Sequence, residues 1–426
     1  MKTFDCDLQL HGKFASGVSK NLTIPLLSQN AKLKGLELLS TADIQHKEWF
    51  DHVKAHIVET ENGVYMDKHS TVHFLIGTEV EDHHRLHHLI YLPDLTRAQE
   101  FRDQIKGFGT LDCSLCGRPR LHLSANQIAQ IVLDLGGILG PAHSFTPYTG
   151  LFSKFNSLHE AYGELVSEIP FLELGLSADT ALADTIANNH AFAFLSSSDA
   201  HSAWPHRLGR EFNRIQMKKP SFTEFKDALF ERTEPRIILN AGLDPREGKY
   251  HATACNACFA QFGLREAEDL FHWKCPNCKT GQIKKGVRDR INELADTSIG
   301  THPAFRPPYK HMLPLSEIIQ QTLRVKNVLS KEVQTQWRSF VDQFENEIAV
   351  LLDIPDSELQ AFNPAVAQNI LAFRAGLVLY EPGGGGQYGT PIICQTQEEF
   401  ERKKTELAQN QFQKNKFTGQ KTLNLF

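Results

Sequence analysis

From Phe4 to about Asn240, short apolar runs bounded by Gly, Pro or Ser alternate with stretches of helical texture, a rhythm that predicts repeated strand and helix units. The expected strands are Phe4 to Leu8, Leu36 to Ser40, His73 to Val80, His87 to Leu92, Gly137 to Pro141, Phe171 to Leu174, Phe192 to Ser196 and Arg236 to Leu239. Ile24 to Lys34, Ala125 to Leu135 and Thr180 to Asn189 are the clearest intervening helices. The pattern predicts an α/β barrel or barrel-like sheet. Chemistry gathers at the strand ends of such folds, because the loops there converge on one face of a rigid scaffold. His11, Asp43, Glu79, His143, Asp199 and His201 all sit at such ends.

Beyond Asp244 the texture changes. A Cys-rich segment runs to about Lys285, and a mainly helical region follows, with Thr322 to Leu352 reading as helix and Gly383 to Gly386 as a backbone-exposed loop. The stretch from Gln409 is rich in Gln, Lys and Asn and reads as a mobile tail. The expected domains are therefore 1–245, of strand and helix units; 246–286, a four-cysteine module; 287–408, a mainly helical domain with the Gly-rich loop; and 409–426, a flexible tail.

At 426 residues, with 41% hydrophobic and 22% charged residues, the chain is long enough for two or three domains with a sizeable core. A net charge of −5 excludes a histone-like electrostatic footprint, so any nucleic-acid surface must be a local patch. The N-terminus lacks signal-peptide texture and no apolar run approaches about 18 residues. The expected location is the cytoplasm, beside the nucleoid in a prokaryote, with no membrane partner. Eight cysteines in a reducing compartment are better read as metal ligands or buried thiols than as disulfides.

Cys255-x-x-Cys258 and Cys275-x-x-Cys278, sixteen residues apart, have the spacing that places four thiolates around one structural zinc. Cys113 and Cys116 share the local spacing but lack a partner pair, and loop cysteines are the favoured reading there. Lys284, Lys285, Arg288 and Arg290 follow the module, as phosphate contacts or as a solvated helix face.

Asp7, Gln9 and His11 share one side of the first strand at period two, which makes a metal edge there plausible. Asp43 and Glu79 end the next two strands, His87 lies in the following one, and His143 and the Asp199-Ala200-His201 pair come last. Mixed His and carboxylate sets suit zinc, manganese or iron, and two or three ions can clamp both the attacking and the leaving oxygens of a phosphodiester. His88, next to His87, should face the opposite side and stays outside the site.

In their order these motifs resemble the PHP (polymerase and histidinol phosphatase) superfamily. Gly17-Val18-Ser19-Lys20, Pro141-Ala142-His143-Ser144-Phe145-Thr146-Pro147, Ser198-Asp199-Ala200-His201, Pro205 to Asn213, the four cysteines and Pro382 to Gly389 resemble its endonuclease Q branch. The resemblance implies a distorted β/α barrel with a four-cysteine zinc ribbon and a mainly helical C-terminal domain. It implies a DNA repair endonuclease that hydrolyses the phosphodiester 5′ of uracil, hypoxanthine, xanthine or an abasic site by metal-activated water. The implied ligands are His11, Asp43, Glu79, His87, His143, Asp199 and His201, with Gln9 and His46 at the margin. Asp199, His201, Glu79 and His143 carry the catalysis, over two or three ions of zinc, magnesium or manganese. Gln9 departs from the family pattern, since it stands where the first histidine of Asp-Leu-His-x-His is usual, and an amide is a poorer ligand than imidazole.

Arg207 and Arg210 are the expected phosphate clamps, because a guanidinium fork matches two phosphate oxygens; an ion pair with Glu211 is the alternative. Tyr388, Tyr309 and Trp204 are aromatics that could stack on a flipped base. Gln420, Leu423 and Phe426 resemble a sliding-clamp (PCNA-type) box, whose spacing puts Leu423 and Phe426 on one side of a helical turn. Two other readings stand beside the nuclease: a PHP-type small-molecule phosphatase and a catalytically inactive DNA-binding protein.

Overall fold

The computed structural model describes residues 1–417, with side chains through residue 409. Within these limits the chain divides into two compact units. The first comprises Met1–Leu243, Leu294–Pro314 and Glu345–Glu347; the second comprises Asp244–Glu293, Leu315–Phe344 and the described residues from Ile348 on.

The first unit is a mixed α/β structure around a sheet of β1 (Lys2–Asp7), β2 (Leu38–Ser40), β3 (Ile57–Glu61), β4 (Val64–Asp67), β5 (His73–Glu81), β6 (His87–Leu92), β7 (Ile138–Pro141), β10 (Phe212–Met217), β11 (Ile237–Gly242) and the short strand Tyr309–His311, with β8 (Phe171–Glu173) and β9 (Ala193–Leu195) outside it. β1, β2 and β5 run parallel in adjacent positions, with Cys6 opposite Leu38 and Leu38 opposite His73. β5 and β6 pair antiparallel from Ile76–Leu92 to Glu81–His87, and β6 pairs antiparallel with β7. β8 and β9 form a separate parallel pair, and Leu10 bridges Ala200 just beyond the ends of β1 and β9. Phe4, Cys6, Leu8, Leu38, Leu75, Tyr91, Phe171, Leu195 and Ile215 belong to one buried cluster that fills the interior. The burial of these strand faces supplies the main stabilisation of the scaffold.

Local chemistry sets the helix boundaries. Thr23 caps Ile24–Lys34 by accepting from Leu26 N, Pro25 fits the first turn, and Gly35 closes the helix in a left-handed conformation. Ser124 and Gln127 form a reciprocal capping box on Ala125–Asp134.

Two strand features differ from expectation. β10, read from sequence only as a motif, pairs antiparallel with β1 from Lys2–Met217 to Cys6–Asn213, and Arg214 meets Asp5 at 2.8 and 3.0 Å. Polar Asn213, Arg214 and Gln216 hide its strand character. The β3–β4 hairpin was likewise unread: Val58, Glu59 and Thr60 are exposed, so that strand lacks an apolar face.

In the second unit, Ala254–Cys255 and Ile283–Lys284 pair antiparallel beside the four cysteines. The helix expected from Thr322 to Leu352 is three helices, Leu315–Leu323, Lys331–Phe344 and Glu347–Leu352, with breaks where Arg324 and Glu345 adopt positive φ. Asp356–Phe362 and Pro364–Arg374 follow, and Phe340, Phe344 and Phe362 form an aromatic cluster with centroids 4.9–6.2 Å apart. The glycine run is not an exposed loop: Gly383, Gly384 and Gly385 are buried, and Gly384 bridges Ala252. The final helix, Gln397–Phe417, extends into the segment expected as tail; Gln420, Leu423 and Phe426 lie outside the described residues.

Candidate metal centre

The strand ends bring two sets of side chains together in the first unit. His11, Asp199 and His201 form one triad and Glu79, His87 and His143 the other, each with ligand atoms within 4.8 Å of one another. Glu79 and His11 join them: His11 Nε2 lies 3.1 Å from Glu79 Oε2 and 3.1 Å from Asp199 Oδ1. Glu79 Oε1 faces His87 Nδ1 at 2.7 Å and His143 Nε2 at 3.4 Å. A largely buried group of imidazoles and carboxylates that point their free atoms at one another is what adjacent divalent cations would hold, because the lone pairs then share a cation instead of protons.

The backbone that carries these groups is unusual. Asp43, His143 and Asp199 adopt positive φ values of 37, 29 and 48°, a region that non-glycine residues rarely occupy and that recurs at functional sites. Each is secured by its surroundings. Asp43 Oδ2 accepts from Gly12 N at 2.7 Å, and the Glu173 carboxylate accepts from His143 N. Buried Asp7 holds the segment before Asp199 by accepting from Ser198 N at 3.0 Å, Ser198 Oγ at 2.5 Å and Gly209 N at 2.8 Å.

Electrostatics bind the cluster further. Burial would lower the His11 pKa, but Asp43, Asp199 and Glu79 hold it well above the usual imidazole value. Burial pushes Glu79 and Asp199 upward. Arg118 and His87 outweigh it at Glu79, as His11 does at Asp199, and both carboxylates are held low.

Asp43 meets His11 at Nδ1, 3.2 Å away, on the side of the ring opposite the triads. Such an outer carboxylate fixes the ring and leaves Nε2 for a ligand. Glu81 plays the same part for His87, at 3.1 Å from Nε2. Gln9 is present but donates Nε2 to Glu79 Oε2 at 2.9 Å, and its buried Oε1 has no hydrogen-bond partner. His46 is not brought in: its ring stacks on Phe14 at 3.8 Å and its Nε2 lies 3.1 Å from the Cys113 carbonyl. His88 faces away, toward Tyr162 at 2.9 Å.

Arg118, Glu81 and Glu173 were missed by sequence reasoning. Glu81 is legible in retrospect, because it follows Glu79 at period two along β5. Arg118 lies on an irregular segment with no periodic signal. Cys113 and Cys116, expected as loop thiols, form a disulfide.

Of the expected phosphate contacts in this unit, Arg210 donates Nε and Nη2 to the Ser198 carbonyl at 3.2 and 3.1 Å, while Arg207 and Trp204 are exposed. Tyr309 donates Oη to the Leu243 carbonyl at 3.4 Å.

In the second unit the four thiols converge, with Cys255 and Cys278 sulfurs 3.7 Å apart and Cys258 and Cys275 sulfurs 3.6 Å apart. A tetrahedron with zinc–sulfur bonds of about 2.3 Å has edges of about 3.8 Å, so the spacing fits one zinc. Ala257 N and Gly281 N donate to Cys255 and Cys278 at 3.3 Å, as thiolates prefer. Near it, Lys284 donates to Gln282, Lys285 pairs with Glu293 at 2.6 Å, and Arg288 pairs with Asp289 at 3.2 Å. Tyr388 is 63% exposed beneath Lys249.

Among the described residues no helix is long and apolar enough to cross a membrane.

A family model described as the MJ0043 C-terminal domain matches residues 314–377. MJ0043 of Methanocaldococcus jannaschii is 45% identical over 258 residues, covering 59% of this chain but 32% of that protein, so the chain matches about a third of its length. YqxK of Bacillus subtilis is 31% identical over 415 residues, covering 91% of this chain and 99% of that protein. The crystal structure of the lesion-specific endonuclease PfuEndoQ from Pyrococcus furiosus superposes with a TM-score of 0.86 at 44% identity, over 92% of this chain and 96% of that one. Endonuclease Q in complex with a 27-mer duplex bearing an abasic lesion at its active site gives 0.86 and 44%, over 94% and 98%. With likeness of this extent over both units, the chain belongs to the endonuclease Q family.

Proposed function

We propose that this chain is a metal-dependent DNA repair endonuclease that hydrolyses the phosphodiester on the 5′ side of a damaged nucleotide. The observation that carries the reading is the pair of triads joined through His11 and Glu79, in a chain that matches a lesion-specific nuclease across nearly its whole length. His11, Asp199 and His201 would hold one divalent ion and Glu79, His87 and His143 another. Zinc or manganese suits this donor set, and the thiolate site suits structural zinc. When bound, the catalytic ions supply the Lewis acidity that makes water nucleophilic near neutral pH and offsets charge on the phosphate oxygens.

The residues supply the rest. Asp43 and Glu81 fix the rings of His11 and His87 from behind, so that each presents a set nitrogen to the centre. Asp7 and Arg210 hold Ser198, and with it the backbone that aims Asp199 and His201. No serine or cysteine nucleophile is needed.

The substrate class is an abasic site or a deaminated base, uracil, hypoxanthine or xanthine. Such bases pair poorly, which lowers the cost of taking them out of the stack. Arg207, Lys284, Lys285, Arg288 and Tyr388 are the proposed DNA contacts. Gln420, Leu423 and Phe426 are proposed to engage a PCNA-type sliding clamp.

The test is a set of end-labelled duplexes, each with one abasic site, uracil, hypoxanthine, xanthine or no lesion, incubated with protein and manganese, magnesium or zinc. A nick mapping to the 5′ side of the lesion, absent from the undamaged duplex, is expected. Phosphate release from small phosphomonoesters without any nick would assign the centre to a metabolite phosphatase.

A further inference from the structure

Arg118 reaches into the centre from a segment that no part of the proposed chemistry has used. Its Nη1 lies 3.4 Å from His11 Nε2 and 3.5 Å from Glu79 Oε1, atoms drawn from both triads. The side chain is 29% exposed, so it is not sealed from solvent. These contacts are long for a committed ion pair, which runs at about 2.7–2.9 Å. Among the described residues Nε and Nη2 make no hydrogen bond.

The placement is built by the fold. The segment closes on itself through the Cys113–Cys116 disulfide. Gln45 Nε2 donates to the Gly117 carbonyl at 2.6 Å, and Gly117 N donates to Phe14 O at 2.9 Å. A Cβ at Gly117 would stand 2.5 Å from both Asp43 Oδ2 and Ala15 N, so only glycine allows this approach. On the far side Glu81 N donates to Pro119 O at 2.9 Å. Arg118 is thus pinned between residues that shape the metal centre.

Position 9 gives the placement its meaning. Gln9 offers Glu79 an amide donor where an imidazole would recruit a cation, yet the carboxylates of Asp43, Glu79 and Asp199 still crowd one region. Resting on the nuclease reading, we propose that Arg118 is a catalytic residue: its guanidinium is the fixed cation of a two-ion centre, and its open donors bind a non-bridging oxygen of the scissile phosphate. A guanidinium fork is suited to phosphate oxygens and needs no loading.

Two measurements decide it. The first is the metal content of chelator-stripped protein after reloading with zinc or manganese and desalting, which does not depend on activity. The two triads and the thiolate site together predict three ions per chain, and a fourth tightly held ion would overturn the inference. The second is lesion nicking by Arg118→Met and Arg118→Lys beside wild type, with folding checked by circular dichroism. A loss of about 10²–10³-fold in kcat is expected for Arg118→Met with lesion-duplex affinity within a few-fold, and partial recovery for Arg118→Lys. Millimolar methylguanidinium, but not methylammonium, should restore Arg118→Ala. Wild-type rates in Arg118→Met would overturn the inference and leave the nuclease reading intact. No nick by wild type itself would instead count against the nuclease reading, and the ion count then judges Arg118 alone.

Discussion

Gln9 Nε2 donates to Glu79 Oε2 at 2.9 Å, so the residue that departs from the family's first motif turns its amide toward the carboxylate that joins its own triad to His11 of the other. The contact makes Gln9 a positioning group for Glu79. Gln9→Ala removes one neutral hydrogen bond to a charged acceptor and should lower nicking by about 10- to 150-fold, given about 1.5–3 kcal/mol for such a bond. Wild-type rates in that variant, measured under single-turnover conditions, would show that the contact does not matter.

Glu79 is the bridge, and its loss should be felt at both triads. Glu79→Gln keeps the shape but removes the charge that faces His11, His87 and Arg118. The expected result is a loss of at least about 10³-fold in nicking, comparable to removal of a principal catalytic group, together with reduced zinc or manganese content. Full metal content in Glu79→Gln would show that the bridge does not hold the ions.

Burial pushes the Glu211 carboxyl from 4.5 up to about 8. A raised carboxyl favours the fold in its neutral form, so its contribution is complete below about pH 4.5 and is lost as pH rises through about 8. Glu211→Gln carries no such loss. From pH 5 to 9 the melting temperature of wild type should fall relative to that of Glu211→Gln; parallel curves for the two proteins would remove Glu211 from the account.

The glycine run belongs to the support of the four-cysteine ribbon. Gly385 has φ of +66°, and a Cβ there would collide with the Cys255 carbonyl oxygen. Gly386 N donates to the Lys249 carbonyl at 2.9 Å, which keeps the run against the ribbon. Gly385→Ala should cost about 2–4 kcal/mol and speed zinc release to a colorimetric chelator. Unchanged release and melting would place the run outside the ribbon's support.

Much of this centre was legible because its chemistry follows strand ends. His11, Glu79, His143 and Asp199 sit where apolar runs stop, and the triads that gather them need only the order of those runs. The four cysteines were legible from spacing alone. What stayed hidden has two physical causes. β10 and the β3–β4 hairpin carry polar residues that period-two reading passes over, so the antiparallel partner of β1 and one of the two antiparallel partners of β5 went unseen. Arg118 and Glu173 act from segments far apart in sequence, where only tertiary closure brings a charge to Glu79 or a carboxylate to the His143 backbone. Asp43 and His46 show the converse: both carry the right chemistry, but Asp43 lies behind His11 and His46 is drawn off by Phe14 and Cys113.

The most direct measurement strips the protein with a chelator and follows one duplex with a single abasic site, beside its undamaged copy, as manganese or zinc is restored to wild type and to Asp199→Ala. The account predicts no cleavage by stripped protein, a single nick 5′ of the lesion in reloaded wild type, none in the undamaged duplex, and a loss of at least about 10³-fold in the variant. Equal cutting of both duplexes, or a nick that survives metal removal or the Asp199 substitution, would contradict it.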